Sequence, residues 1–165
     1  MEKVLVTGAT GYIALHCVQQ LLDQGYAVNG SIRSPERKNE VIEALKNSGT
    51  STENLNLYVF DLTNDEGWDD GMEGCDYLLH VASPLALENH TEDYFVKPAV
   101  AGAKRALKFA KKHGVKKVVL TSSVAAIFET GEEKVFYDES DWSDPDSPNI
   151  SNYAKSKTLA EKAAW

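Results

Sequence analysis

The stretch SNYAKSKTLAEKAAW (151–165) carries a tyrosine and a lysine four residues apart, Tyr153 and Lys157. On a helix that spacing sets both side chains on one face, one turn apart. A free phenol keeps its proton until pH approaches about 10. An ammonium a few ångströms away favours the phenolate, which makes a tyrosine a workable general acid or base. The pair alone is cheap, because a lysine-rich helix supplies it by chance. Upstream, VKKVVLTSS (115–123) reads as an apolar strand ending in two serines. A hydroxyl there, Ser123 or its neighbour Ser122, could donate to a carbonyl oxygen and stabilise developing negative charge.

A second constellation lies at the other end of the chain. TGATGYIA (7–14) has the spacing Gly8-x-x-Gly11-x-x-Ala14. It follows a β-branched run and opens an amphipathic stretch. Glycines in that position let the chain turn tightly and let a pyrophosphate reach backbone N–H groups at a helix N-terminus. The plain alternative is a tight strand-to-helix turn that binds nothing. The next strand ends GSIRSPERK. A carboxylate at its tip would bond the ribose 2′-hydroxyl of NAD, and an arginine would pair with the 2′-phosphate of NADP. Arg33 stands there, with Arg37 and Lys38 close behind, so the expected cofactor is NADP(H). These cations could equally be solvated at an open edge. Asp61 could accept from an adenine amino group with Leu62 beside the ring, or it could simply open a turn. His80 reads as a buried strand-end histidine.

Elements to hold these groups can be read from periodicity. Strands are expected at 3–8, 26–33, 55–61, 75–82 and 115–123. Helices are expected at 11–24, 35–47, 91–113 and 151–165. Pro35 suits a first helical turn, Gly114 a helix stop, and Ser151 or Asn152 an N-cap. Residues 124–150, rich in acids, read as a solvated loop. Strand–helix alternation with nearly continuous apolar strands implies an α/β fold with a parallel sheet covered by helices on both faces. Right-handed crossovers then give a doubly wound, Rossmann-type sheet of order 3-2-1-4-5. Ligands of such sheets bind at the carboxyl ends of the strands. The loops at 7–11, 33–38, 61–62, 81–84 and 121–123 therefore matter most.

The 165 residues fit one domain. They are 42% hydrophobic and 25% charged, with a net charge of −8. That charge opposes nucleic acid or an anionic membrane as a partner. The cations Lys104, Arg105, Lys108, Lys111, Lys112, Lys116 and Lys117 read as a solvated helix face. Cys17 and Cys75 form no CxxC pair, so structural thiols in a reducing compartment are expected and no metal site. MEKVLVTG enters a strand directly, and no apolar run approaches a membrane span, so a cytoplasmic protein is expected.

The chain resembles the N-terminal part of the extended short-chain dehydrogenases/reductases. Within them it is most similar to the dihydroflavonol 4-reductase, cinnamoyl-CoA reductase and NADPH-dependent aldehyde reductase group. VTGATGYIA (6–14), SIRSP (31–35), HVASP (80–84), VVLTSSVAAI (118–127), YDESDWS (137–143) and YAKSKTLAEKAAW (153–165) carry the resemblance. It implies hydride transfer from NADPH to a small aldehyde or ketone. Tyr153 would be the acid/base, Lys157 would favour its phenolate and hold the nicotinamide ribose, and Ser123 would bind the carbonyl. Thr7, Gly8, Gly11, Tyr12 and Ile13 would line the pyrophosphate, with Arg33 and Lys38 at the 2′-phosphate and Asp61 and Leu62 at the adenine. Val81, Ala82, Ser83 and Thr121 would lie on the nicotinamide side. Members of the group often carry a lysine near the position of Asn39 and Glu40, so Arg37 or Lys38 would substitute for it here. Members also run well beyond the active-site helix into a small substrate-closing domain. The resemblance thus implies a cofactor-binding part, weakly active or inactive by itself, in a monomer or homodimer. Two other readings stand beside it: an NAD-dependent nucleotide-sugar epimerase or dehydratase, which Arg33 opposes, and a non-catalytic dinucleotide-binding module, which Tyr153 and Lys157 oppose.

Overall fold

The computed structural model describes residues 1–85, 90–130 and 134–165. Side chains alternate across a strand, and in β1 (Lys3–Val6) this sends Val4 and Val6 to one face and Leu5 to the other. On the first face α1 (Tyr12–Asp23) and α2 (Lys38–Asn47) pack Ala14, Val18, Val41 and Leu45 against Val28 and Ile32 of β2 (Ala27–Ile32). On the other, α3 (Trp68–Met72) and the second half of α4 (Glu92–Lys112) pack Trp68, Met72, Ala106 and Phe109 against Leu5 and against Leu78 of β4 (Tyr77–His80). With β3 (Leu55–Val59) and β5 (Lys117–Leu120) the sheet has five strands in the order β3-β2-β1-β4-β5, every neighbouring pair parallel. The sheet has the expected order, with helices on both faces.

Differences from the sequence reading are local. The strands are shorter than expected. Residues 35–47 are not one helix: Pro35–Arg37 form a 3-10 turn before α2. α3 falls where no helix was expected, because five residues are too few to show a helical period. Trp68 nevertheless fills the core completely, and its indole N–H donates to the Asp61 carbonyl at 2.8 Å. Trimming that ring to alanine is expected to cost about 3–5 kcal/mol. The loop at 124–150 contains a 3-10 turn, Val124–Ala126; its acids Glu132 and Glu133 lie outside the described residues. Gly114 ends α4 with φ of 67°, while the Val115 N–H bonds the Ala110 carbonyl and the Gly114 N–H bonds that of Lys111. This left-handed stop satisfies carbonyls that the helix would otherwise orphan.

The chain divides into two compact units, Met1–Ala82 with Arg105–Thr121, and Ser83–Lys104 with Ser122–Trp165. The first holds the sheet. The second holds α5 (Asn152–Ala164) and the 3-10 turn at Val124–Ala126, which packs on it.

Candidate functional site

In the first unit the glycine loop is built around Gly8 and Thr7. Gly8 has φ of 74°, and a Cβ there would stand 3.0 Å from Cβ of Ala82. Only glycine fits both the backbone and the space. Its N–H donates to the Ser31 hydroxyl at 2.8 Å, and the Ala9 N–H donates to the Ser31 carbonyl at 2.7 Å. Ser31 was not singled out in the sequence; it lies 23 residues from the glycine it holds. The Thr7 side chain is fully buried, its hydroxyl accepting from the N–H groups of Val81 and Ala82, each at 3.0 Å, and bonding His80 Nδ1 at 3.0 Å. Thr7, Val81 and Ala82 therefore join the ends of β1 and β4, and His80 is buried as its sequence position suggested.

Gly11 is the N-cap of α1 and has no side chain to cap it. The first N–H groups of a helix have no intrahelical partner, so this end is open to an anion. Tyr12 and Ile13 beside it are 81% and 57% exposed. After β2, Arg33 and Lys38 are exposed. Arg37 is not in the same state, because its guanidinium makes an ion pair with Glu40 at 2.7 Å, with its Nε also bonded to that carboxylate. Asp61 opens a turn: its Oδ1 accepts from the Thr63 N–H at 2.6 Å and the Thr63 hydroxyl at 2.7 Å. Burial alone would raise this carboxyl; the bonds from Thr63 and Asn64, with the charge of Arg105, outweigh it and hold the carboxyl below the usual range. Leu62 packs half-buried against the α3–α4 core.

Several of the basic side chains of α4, with His113 just beyond it, are paired rather than merely solvated. Arg105 and Lys108 meet Asp65, Lys112 meets Asp69 at 2.6 Å, and His113 meets Asp69 at 2.8 Å. Both aspartates precede or open α3, 40 or more residues from their partners. Cys17 and Cys75 are free thiols, and burial pushes Cys75 up to about 11, which opposes thiolate chemistry.

In the second unit α5 begins at Ser151, whose hydroxyl accepts from the Ala154 N–H at 3.1 Å. Lys155 to Glu92 at 3.0 Å and Asn152 to the His90 carbonyl at 2.9 Å tie its first turns to the start of α4. Tyr153 lies in that first turn, where the helix dipole favours negative charge, with its ring edge-on to Phe95 at 6.5 Å. Lys157 is one turn on and only 6% exposed, its Nζ 5.9 Å from the centre of the Tyr153 ring. Burial lowers the Lys157 ammonium from its ordinary value, and the charge of Glu161 works against that lowering.

Ser123 caps the 3-10 turn against α5, accepting from the Ala125 N–H at 3.2 Å, which leaves its own proton to donate. Ser122 instead donates to the Glu161 carboxylate. Ser143, the last residue of YDESDWS, is fully buried and pins the same turn. It donates to the Ala125 carbonyl and accepts from the Glu129 N–H, both at 2.8 Å. Thr121 extends β5 by an N–H bond to the His80 carbonyl at 3.0 Å, and Ser83 is half-buried. Neither Glu161 nor Ser143 was picked out as a site residue, because their partners lie 39 and 18 residues away. Among the described residues no cluster of histidine, cysteine or carboxylate could hold a metal ion, and no helix is long and apolar enough to cross a membrane.

A family model described as the NAD dependent epimerase/dehydratase family matches residues 4–165. Vestitone reductase of Medicago sativa is 40% identical over 169 residues, covering 98% of this chain and 52% of the relative. Cinnamoyl-CoA reductase 2 of Arabidopsis thaliana is 40% identical over 169 residues, covering 99% and 49%. Among solved structures, yeast methylglyoxal/isovaleraldehyde reductase Gre2 complexed with NADPH superposes with a TM-score of 0.84 at 33% identity, over 99% of this chain and 52% of that one. The chain spans about half the length of the curated relatives it matches.

Proposed function

The chain belongs to the NAD dependent epimerase/dehydratase family, and we propose that it serves an NADP(H)-dependent reductase that converts an aldehyde or ketone to an alcohol. The observation that carries this reading is the arrangement on α5. A tyrosine in the first turn is followed one turn later by a buried lysine, and a serine hydroxyl with a proton to donate caps the turn packed beside them. The named relatives are reductases rather than epimerases, which favours reduction among the activities of the family.

The residues present fit the cofactor. Gly8 keeps the loop after β1 free of a Cβ, the α1 N-terminus is uncapped, and Arg33 is exposed at the tip of β2 with no acid beside it in the sequence. Gly8, Gly11, Tyr12 and Ile13 would hold the pyrophosphate, Thr7 acting through the strand ends it joins. Arg33 and Lys38 would meet the 2′-phosphate. The free side of the Asp61 carboxylate and Leu62 would meet the adenine, with Val81, Ala82, Ser83 and Thr121 toward the nicotinamide. When bound, NADPH supplies the hydride to the carbonyl carbon. Ser123 donates a hydrogen bond to the carbonyl oxygen. Tyr153 gives its proton to that oxygen, leaving a phenolate that the Lys157 ammonium stabilises until solvent reprotonates it.

The reading extends to a cytoplasmic monomer or homodimer without nucleic-acid or membrane partners, checked by cell fractionation and size-exclusion chromatography. The activity is tested by NADPH consumption with a panel of aldehydes and ketones, using protein expressed from the full reading frame and the 165-residue chain side by side. The chain alone is expected to turn over weakly or not at all; equal rates would remove that part of the account. Tighter binding of NADH than of NADPH would overturn the cofactor assignment.

A further inference from the structure

Asp61 and Leu62 lie on the loop between β3 and α3, and their backbone carbonyls are held by two distant side chains. The Asp61 carbonyl accepts from the indole N–H of the buried Trp68 at 2.8 Å. The Leu62 carbonyl accepts from the guanidinium of Arg105 on α4, 43 residues away. Through its Nε the same guanidinium also reaches the Asp65 carboxylate. A guanidinium presents its N–H donors in a rigid planar fork, so one arginine can hold two acceptors in a fixed relation. Lys108 meets Asp65 as well, but both side chains of that pair are more than half exposed, and such a pair contributes little. The Arg105 side chain is only 17% exposed, and its bonds are charge-assisted, so it is the stronger tie. All of these residues belong to the unit that carries the sheet. Within the loop, the Thr63 N–H and hydroxyl and the Asn64 side-chain amide all bond Oδ1 of Asp61. Oδ2 is then the atom that would meet an adenine amino group.

We propose that Arg105 is a positioning residue for the adenine end of the cofactor site: by holding the Leu62 carbonyl and the Asp65 carboxylate together, it fixes the turn from which Asp61 reads the amino group of the base. The inference rests on the adenine role proposed for Asp61 and Leu62, and deepens it. A hydrogen bond weakens steeply as its angle departs from linear. Asp61 can therefore select an amino group only while its loop is held still, and Arg105 holds it from α4.

The test uses protein from the full reading frame and two cofactors, NADPH and its hypoxanthine analogue deamino-NADPH, which carries an oxygen in place of the amino group. Dissociation constants are read from the quenching of protein fluorescence, with no substrate present. The parent is expected to bind NADPH about tenfold more tightly than the analogue, the worth of one hydrogen bond to a charged acceptor. Arg105→Met, which keeps the stem and removes every donor, is expected to lower that preference to about threefold or less. Asp65→Asn, a change at a half-exposed side chain, is expected to lower it in the same direction by a smaller factor. A general loosening of the fold would weaken both cofactors alike and leave their ratio as it was. An unchanged ratio in Arg105→Met, or in Asp65→Asn should the first variant not fold, would therefore overturn the proposal. A parent that binds the two cofactors equally would instead remove Asp61 from the adenine and the proposal with it, so the two failures are told apart.

Discussion

Two groups of charges carry the roles proposed for this chain, and they live in different surroundings. At the end of β2, Arg33 and Lys38 are exposed, and Arg37 with Glu40 forms an ion pair in water. On α5, Lys157 is buried with Tyr153 one turn before it and Glu161 one turn after. On the proposed reading the first group would need to be open, because it would have to release solvent and meet a phosphate. The second needs to be closed, because an ammonium influences a phenol most strongly where water does not screen it. The contrast teaches that a cation's setting, more than its presence, decides what it can do.

That contrast is sharpened most by Lys157→Met. It is expected to cost about 10²- to 10⁴-fold in kcat/KM. Methionine fills a similar volume and removes the desolvation cost of the buried ammonium, so the urea midpoint at neutral pH should not fall. A large loss of stability instead of activity would make Lys157 a structural residue. The same burial sets a sign for pH. The folded state penalises the protonated lysine, so the penalty is fully present at neutral pH. It is relieved as pH rises from the folded-state value toward the ordinary value of 10.5. Stability of the parent relative to Lys157→Met should therefore improve as pH rises through that window, measured by denaturant midpoints at several pH values.

Smaller effects are expected on the exposed side. Gly8→Ala forces a residue into a positive φ and a methyl against Ala82, at a cost of about 1–3 kcal/mol. It should weaken NADPH binding more than it lowers the melting temperature. Arg33→Ala should weaken NADPH by about tenfold or more, the worth of a charge-assisted bond, and leave NADH unchanged; equal losses for both would remove Arg33 from the phosphate. Glu40→Gln frees Arg37 and should tighten NADPH by about threefold or less, as suits an exposed pair. A much larger gain would mean that the Arg37–Glu40 pair restrains the cofactor edge and is not merely solvated.

Much of this was legible in the sequence because it is local. The short apolar runs of β1 and β2, the glycine spacing at 8–14 and the i, i+4 pair on α5 all lie within a few residues, and the sheet order followed from the alternation of strands and helices. What the sequence did not disclose depends on distant pairing. Ser31 holds Gly8 across 23 residues, Arg105 finds Asp65 across 40, and Ser122 finds Glu161 across 39. No period or motif marks such partners; only the folded chain brings them together. The different hydrogen bonds of Ser122 and Ser123 were hidden for the same reason. α3 escaped because Trp68, Gly71 and Met72 are buried in so short a segment that no helical stripe can form.

The most direct measurement is NADPH-dependent formation of alcohol from an aldehyde, comparing protein from the full reading frame with its Tyr153→Phe variant. The account predicts turnover that falls by about 100-fold or more in the variant, while NADPH affinity stays within about threefold. Equal rates in the two proteins would contradict it.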